Sequence, residues 1–200
     1  MAKTRQKTLM IDILESAPSI AFLIFLRSQF GLEMAGWIGC IAALLVFVAL
    51  YLLNQKPHPI LLGVNLHLLF ITPAIVGIGY FGAGQFASFL ADHAHKGVLL
   101  TVLFVGVVQT MFLKGGFVGR VDLPEKIQTR YSFYLLVAGL VGLFWAFGTE
   151  KGAFVGVLLP LTAMIGLRNF LLARWQDNNS GAGAIYVGIS ADNQGTELAA

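Results

Sequence analysis

Residues 114–130, Lys-Gly-Gly-Phe-Val-Gly-Arg-Val-Asp-Leu-Pro-Glu-Lys-Ile-Gln-Thr-Arg, form the longest polar interruption in an otherwise apolar chain. This stretch, the basic loop, holds four of the thirteen Lys and Arg residues. It separates an N-terminal apolar block from a C-terminal pair of apolar segments. Because Lys and Arg collect in the cytoplasmic loops of membrane proteins, its charge also predicts the orientation of the chain in a bilayer.

The composition of the whole chain is that of a membrane protein. Of the 200 residues, 57% are hydrophobic and 12% are charged, whereas about a quarter of a soluble chain is charged. The net charge of +3 comes from basic residues beside apolar segments, which indicates cytoplasmic loops and argues against nucleic acid as a partner. Cys40 is the single cysteine, so the chain cannot form an internal disulfide, and no Cys/His set has zinc-ligand spacing.

The apolar segments predict an all-α, polytopic transmembrane helical bundle with six spans. Each segment approaches the 20 or so residues that a helix needs to cross a bilayer. We place the spans at about residues 9–26, 34–53, 60–81, 97–113, 131–147 and 153–172. The first is the weakest, because its uninterrupted apolar run is short, so five spans are the alternative. Residues 1–175 thus form a membrane domain, and the polar residues 176–200 are expected to be a disordered tail.

The distribution of Lys and Arg tests the number of spans. With six spans, ten of the thirteen basic residues lie on the side of the N-terminus, and both termini share that side. With five spans, the division becomes seven against six. Strong asymmetry is typical of inserted membrane proteins, and it predicts six spans with both termini in the cytoplasm.

Polar residues within the predicted spans are the candidates for an intramembrane function. They are Asn65, His67, Gln109, Arg168 and Asn169. His67 is the most specific of them, because an ionisable side chain at membrane depth is costly and often functional. The simpler interpretation, a neutral histidine that is hydrogen-bonded to a neighbouring helix, is favoured. For Arg168, near the end of its span, an outward direction is favoured over an inward one.

Other charged clusters do not predict a reaction. Asp12 and Glu15 could pair with Arg27, although a position in the interface is favoured so close to the terminus. Of the segment with Asp92, His93 and His95, the two histidines are two residues apart and face different sides of a helix, which argues against a metal site there. The sequence has no phosphate-binding glycine loop, nucleophile elbow or metalloprotease helix. We expect no catalytic residue, no metal and no cofactor.

Two stretches resemble the intracellular septation protein A family of bacterial inner-membrane proteins. The first is residues 14–36, Leu-Glu-Ser-Ala-Pro-Ser-Ile-Ala-Phe-Leu-Ile-Phe-Leu-Arg-Ser-Gln-Phe-Gly-Leu-Glu-Met-Ala-Gly. The second is Leu123-Pro124-Glu125, followed by Arg130 and an aromatic-rich helix from Tyr131. The resemblance implies a non-enzymatic role in cell-envelope maintenance and septum formation, through contacts with other membrane proteins of the bacterial inner membrane.

The basic loop is the candidate surface for such contacts. Its candidate residues are Arg120, Leu123, Pro124, Glu125, Lys126 and Arg130. Attraction to anionic lipid, worth about 1 kcal/mol per basic residue near the surface, is the simpler interpretation of the charge. The expected partners are therefore the lipid bilayer and proteins of the envelope or division machinery. A small transporter or channel that uses the polar residues of the third span is the alternative function.

Overall fold

The computed structural model describes residues 13–22, 24–25, 31–120, 122–149 and 154–196, with side chains except at residues 31–32, 154 and 178–196. The chain divides into two compact units, Met1–Met164 and Ile165–Ala200. Within the described residues the secondary structure is helical, without a strand. The helices are α1 (Ile13–Phe22), α2 (Gly31–Leu52), α3 (Pro59–Tyr80), α4 (Gly84–Phe112), α5 (Glu125–Gly148), a π-helical turn (Phe154–Leu158) and α6 (Leu159–Thr196).

The predicted class, an all-α multi-pass membrane protein, is confirmed. Five of the described helices, α2 to α6, are long and apolar enough to cross a membrane. Large apolar side chains on them are exposed, among them Phe70, Phe104 and Phe144 at 64%, 68% and 72%, and such a surface requires lipid around it. For the first predicted span the structure describes the ten-residue helix α1 and residues 24–25, and the rest of that segment lies outside the described residues. Six spans and cytoplasmic termini stay predictions.

Prolines in the sequence indicate where the helices begin and end better than charged residues do. Helices α2 and α3 begin and end within three residues of the predicted spans. Helix α4 begins at Gly84, not at residue 97 where the fourth predicted span begins, so residues 85–96 between the third and fourth predicted spans are helical. That segment carries charge but no proline, and charge alone does not break a helix. Helix α5 begins at Glu125 instead of residue 131, directly after Pro124, since proline is tolerated at a helix start.

Prolines also explain two irregular places in the spans. The π-helical turn Phe154–Leu158 comes just before Pro160, whose ring and missing N–H disturb the preceding turn of a helix. Pro73 lies inside α3, where it leaves one carbonyl without its helical donor. Helix α6 continues to Thr196, through residues for which the sequence predicts a disordered tail. Disorder of that polar segment in solution stays a prediction.

Helix α3 occupies a central position in the first unit. A Cβ on its Gly63 would lie 2.7 Å from the backbone Cα of Val102 on α4. A Cβ on Gly36 of α2 would lie 2.6 Å from the Thr72 hydroxyl of α3. The small residues therefore let three helices approach more closely than larger side chains would permit, which is typical of packing in membranes.

Candidate functional site

The two polar residues of the third predicted span contact different neighbours. Asn65 is 2% exposed, and its Nδ2 donates to the backbone carbonyl of Glu15 on α1 at 3.0 Å. His67 is 6% exposed, and both of its ring nitrogens bond to α4. The two side chains are two residues apart on a helix and point in different directions. They do not meet around one pathway.

The hydrogen bonds of His67 occupy its whole ring. Nε2 lies 2.9 Å from the carbonyl oxygen of Ala94, which can only accept, so Nε2 carries a proton. Nδ1 lies 3.0 Å from the hydroxyl of Thr101, which in turn lies 3.0 Å from the carbonyl of Gly97. In the neutral ring Nδ1 is an acceptor, and the single hydroxyl proton of Thr101 is shared between Nδ1 and the carbonyl oxygen of Gly97. This is the hydrogen-bonded arrangement that the sequence favours, and it leaves neither nitrogen for a substrate or a metal.

Glu15 is buried within the protein beside the N-terminal end of α3, and its expected position in the membrane interface stays a prediction. The side chain is 1% exposed, and Oε2 accepts from the backbone N–H of His58 at 2.8 Å. His58 is the residue before the first turn of α3. A carboxylate there interacts favourably with the partial positive charge at a helix N-terminus. Asp12 and Arg27, considered with Glu15 in the sequence, lie outside the described residues.

The remaining polar candidates are separate from Asn65 and His67. Gln109 on α4 is 6% exposed, and its Oε1 has no hydrogen-bond partner among the described residues. In the second unit, Arg168 is half-buried, and its Nη1 lies 3.4 Å from Oδ1 of the exposed Asn169. Within the first unit, Asn65 and His67 bond to different helices and do not form one site with each other.

The segment with Asp92, His93 and His95 belongs to the surface of α4. Nδ1 of His93 donates to the carbonyl of Phe89 at 2.9 Å, and the two rings stack with centroids 4.4 Å apart. Within the described residues no group of three His, Cys, Asp or Glu side chains could hold a metal ion.

The basic loop is a folded element with its own buried side chains. Phe117, Val118 and Leu123 are 0%, 1% and 4% exposed. The ring of Phe117 covers Gly106 of α4, where a Cβ would lie 2.8 Å from it. Gly116 has a φ of 56°, and a Cβ there would lie 2.5 Å from the Ser132 hydroxyl. Glycine is required at this position for both its conformation and its lack of a side chain.

Side chains from α5 hold the backbone of the loop. Gln128 accepts from the N–H of Gly115 at 3.1 Å and donates to the carbonyl of Leu123 at 2.6 Å. The hydroxyl of Ser132, which is 0% exposed, accepts from the N–H of Val118 at 3.4 Å. Sequence reasoning missed Gln128 and Ser132 because they precede or begin an apolar run. The apolar pair Phe117-Val118 inside a basic loop is the signal that could have indicated a folded structure.

The charged side chains of the loop lie outside this buried part. Arg120 donates to both carboxylate oxygens of Asp122, at 2.8 and 2.7 Å. This pairing lowers the pKa of Asp122 to about 2 and raises the pKa of Arg120. Nε of Arg130 donates to the Tyr134 hydroxyl at 2.8 Å.

Of the candidate contact residues, Pro124, Glu125, Lys126 and Arg130 are exposed and Arg120 is half-buried. Leu123 is the exception. Its side chain packs inside the protein, so the expectation that it contacts a partner is wrong. Burial of an apolar side chain is favourable because it removes apolar surface from water.

A comparison of the chain with known family models, curated proteins and solved structures finds no match. The resemblance to the septation protein A family stays a prediction.

Proposed function

We propose that this chain is a non-enzymatic protein of the bacterial inner membrane that binds other membrane proteins through the outer face of the basic loop. The role that the sequence resemblance suggests for it is structural, in envelope biogenesis or septation. The observation that carries the proposal is the construction of the loop. Phe117 of the loop packs on α4, and Gln128 of α5 bonds to the loop backbone. Lys126 and Arg130 remain exposed.

A loop that served only as a topology signal would need its charge and no fixed shape. A loop with a fixed backbone presents its charged groups at constant positions, which lowers the entropy lost on binding a partner. Such a surface suits an acidic face on another membrane protein.

The alternative, transport along the third span, has less support. Both nitrogens of His67 are bonded to α4, and Asn65 is bonded to α1. The polar side chains that a transport pathway along the third span would use are therefore already bonded to neighbouring helices.

Charge reversal on the loop tests the proposal. Lys126→Glu combined with Arg130→Glu should insert normally and lose the envelope or division proteins that copurify with the wild type in mild detergent. Lys56→Glu, an exposed lysine in the turn before α3, is the matched control and should retain them.

A second variant separates protein contact from lipid attraction. Arg130→Lys keeps the charge and removes the planar group that hydrogen-bonds Tyr134. It should weaken recovery of the partners, whereas attraction to lipid would be unchanged. Recovery of the same proteins by the charge-reversed chain, with normal cell length, would overturn the proposal.

A further inference from the structure

A cleft of about 460 Å³ opens between the end of α4 and the start of α5. Its size lies within the range of small-molecule sites. The lining residues are Thr110, Met111, Phe112, Leu113, Lys114, Gly116, Leu123, Glu125, Gln128, Thr129 and Ser132. None of the polar candidates within the spans lines it, so it is a feature separate from them.

One wall of the cleft is apolar and exposed. Met111, Phe112 and Leu113 are 71%, 76% and 57% exposed at the end of a membrane-crossing helix. The next residue, Lys114, is exposed and charged. This change from apolar to charged within one turn is typical of the boundary between hydrocarbon and headgroups. The cleft therefore lies where a lipid changes from acyl chain to headgroup.

The other wall carries one charge of each sign. Lys114 and Glu125 both line the cleft, and neither forms an ion pair within the part of the chain that the structure describes. Both polar groups of the Gln128 amide bond to the loop backbone, so they stabilise the fold of the loop. The two charged side chains are the groups left to recognise a ligand.

The start of α5 adds a site for a phosphate. No side chain caps this 24-residue helix at Pro124. The N–H groups of Ile127 and Gln128 bond to the carbonyl of Pro124, so the N–H of Glu125, a residue that lines the cleft, carries the partial positive charge of the helix start. Together with Lys114 this N–H favours an anionic group. The carboxylate of Glu125 opposes a purely anionic ligand and favours a positive group beside the phosphate.

We propose that this cleft binds the headgroup of a zwitterionic phospholipid with a primary amine. Lys114 and the first turn of α5 hold the phosphate, and Glu125 accepts a hydrogen bond from the ammonium group. The acyl chains lie along Met111 and Phe112. The inference is independent of protein partners on the outer face of the loop.

The test uses the full chain in detergent and measures lipid binding by native mass spectrometry. Phosphatidylethanolamine, phosphatidylcholine and phosphatidylglycerol with identical acyl chains are titrated in parallel. Phosphatidylethanolamine should bind about tenfold more tightly than either of the others, as expected for one charge-assisted hydrogen bond. Glycerophosphoethanolamine, the free headgroup, should bind much more weakly, because it lacks the acyl chains.

Matched variants identify the residues. Lys114→Gln and Glu125→Gln should each weaken binding of phosphatidylethanolamine about tenfold. Lys114→Arg should retain it. Lys56→Gln and Glu33→Gln remove the same charges from other exposed positions and should have no effect. Circular dichroism verifies that every variant is folded.

Three results would overturn the proposal. The first is phosphatidylglycerol that binds as tightly as phosphatidylethanolamine. The second is unchanged binding in folded Lys114→Gln and Glu125→Gln. The third is free headgroup that binds as tightly as the lipid, which would indicate a soluble ligand instead.

Discussion

The thiol of Cys40 on α2 donates a hydrogen bond to the carbonyl oxygen of Leu69 on α3, with 3.4 Å between Sγ and the oxygen. Leu69 is four residues before Pro73, which has no N–H. The carbonyl therefore lacks its usual helical donor, and a side chain from the neighbouring helix serves it instead.

A double-mutant cycle measures this relationship. Cys40→Ala should lower the free energy of unfolding by about 0.6 kcal/mol, the average for side-chain hydrogen bonds between membrane helices, in addition to the cost of the lost sulfur. Pro73→Ala supplies an N–H to Leu69, so Cys40→Ala should cost less in that background. Unfolding in mixed micelles with increasing SDS, followed by circular dichroism, gives both values. Equal costs in the two backgrounds would show that the thiol and the carbonyl are not coupled.

Gly106 determines whether Phe117 can cover α4. Gly106→Ala places a methyl group 2.8 Å from the ring, and overpacking of this kind costs roughly 1–3 kcal/mol. The displaced loop should become sensitive to trypsin at Lys114 and Lys126. Gly77→Ala is the control, because nothing lies within 4 Å of a Cβ there, and it should be neutral or slightly stabilising. Equal trypsin sensitivity of the two variants would contradict the packing of Phe117 on Gly106.

His67→Leu should leave the protein inserted and folded but less stable. The change removes two hydrogen bonds between α3 and α4, each worth about 0.6 kcal/mol on average in membranes. Thr101→Val removes only one of them and should cost about half as much. SDS titration measures both. If His67→Leu kept full stability but abolished a measured transport activity, the transporter alternative would replace our proposal.

Asp122 should titrate well below other aspartates. Its pKa of about 2 is lower than the ordinary 3.8, so the pair with Arg120 stabilises the loop fully above pH 4 or so and loses that effect as the pH falls toward 2. Both side chains are substantially exposed, at 37% and 54%, and the effect should weaken at high salt. Carbon NMR of the Asp122 carboxyl group measures the pKa. Arg120→Gln should return the pKa of Asp122 to about 3.8. A pKa near 3.8 in the wild-type protein would refute the pairing.

The parts of the fold that depend on local properties could be predicted from the sequence. Residues 34–53 carry no charge, and Pro57 and Pro59 separate them from the next span, so α2 and α3 were predicted nearly to the residue. The start of α4 was not, because Asp92 and Lys96 resemble a loop in composition. A helix tolerates such residues wherever one of its faces reaches the membrane surface.

The parts that depend on distant contacts could not be predicted. The burial of Glu15 requires the N–H of His58, which is 43 residues away, and no local pattern indicates that pairing. Leu123 is likewise 4% exposed within a loop whose fold depends on bonds from Gln128 and Ser132 of α5. The bond from Cys40 to Leu69 could be predicted in part. Pro73 shows in the sequence which carbonyl lacks a donor, but only the packing of α2 on α3 shows what replaces it.

The contacts of Glu15 also have a consequence for biosynthesis. The two groups that it bonds to, the N–H of His58 and the amide of Asn65, follow it by 43 and 50 residues. At a synthesis rate of about 5–20 residues per second, both groups are made roughly 2–10 s after Glu15. Helix α1 can therefore take its final position only after α3 has begun to be translated, so the helix that is made earlier waits for the one made later.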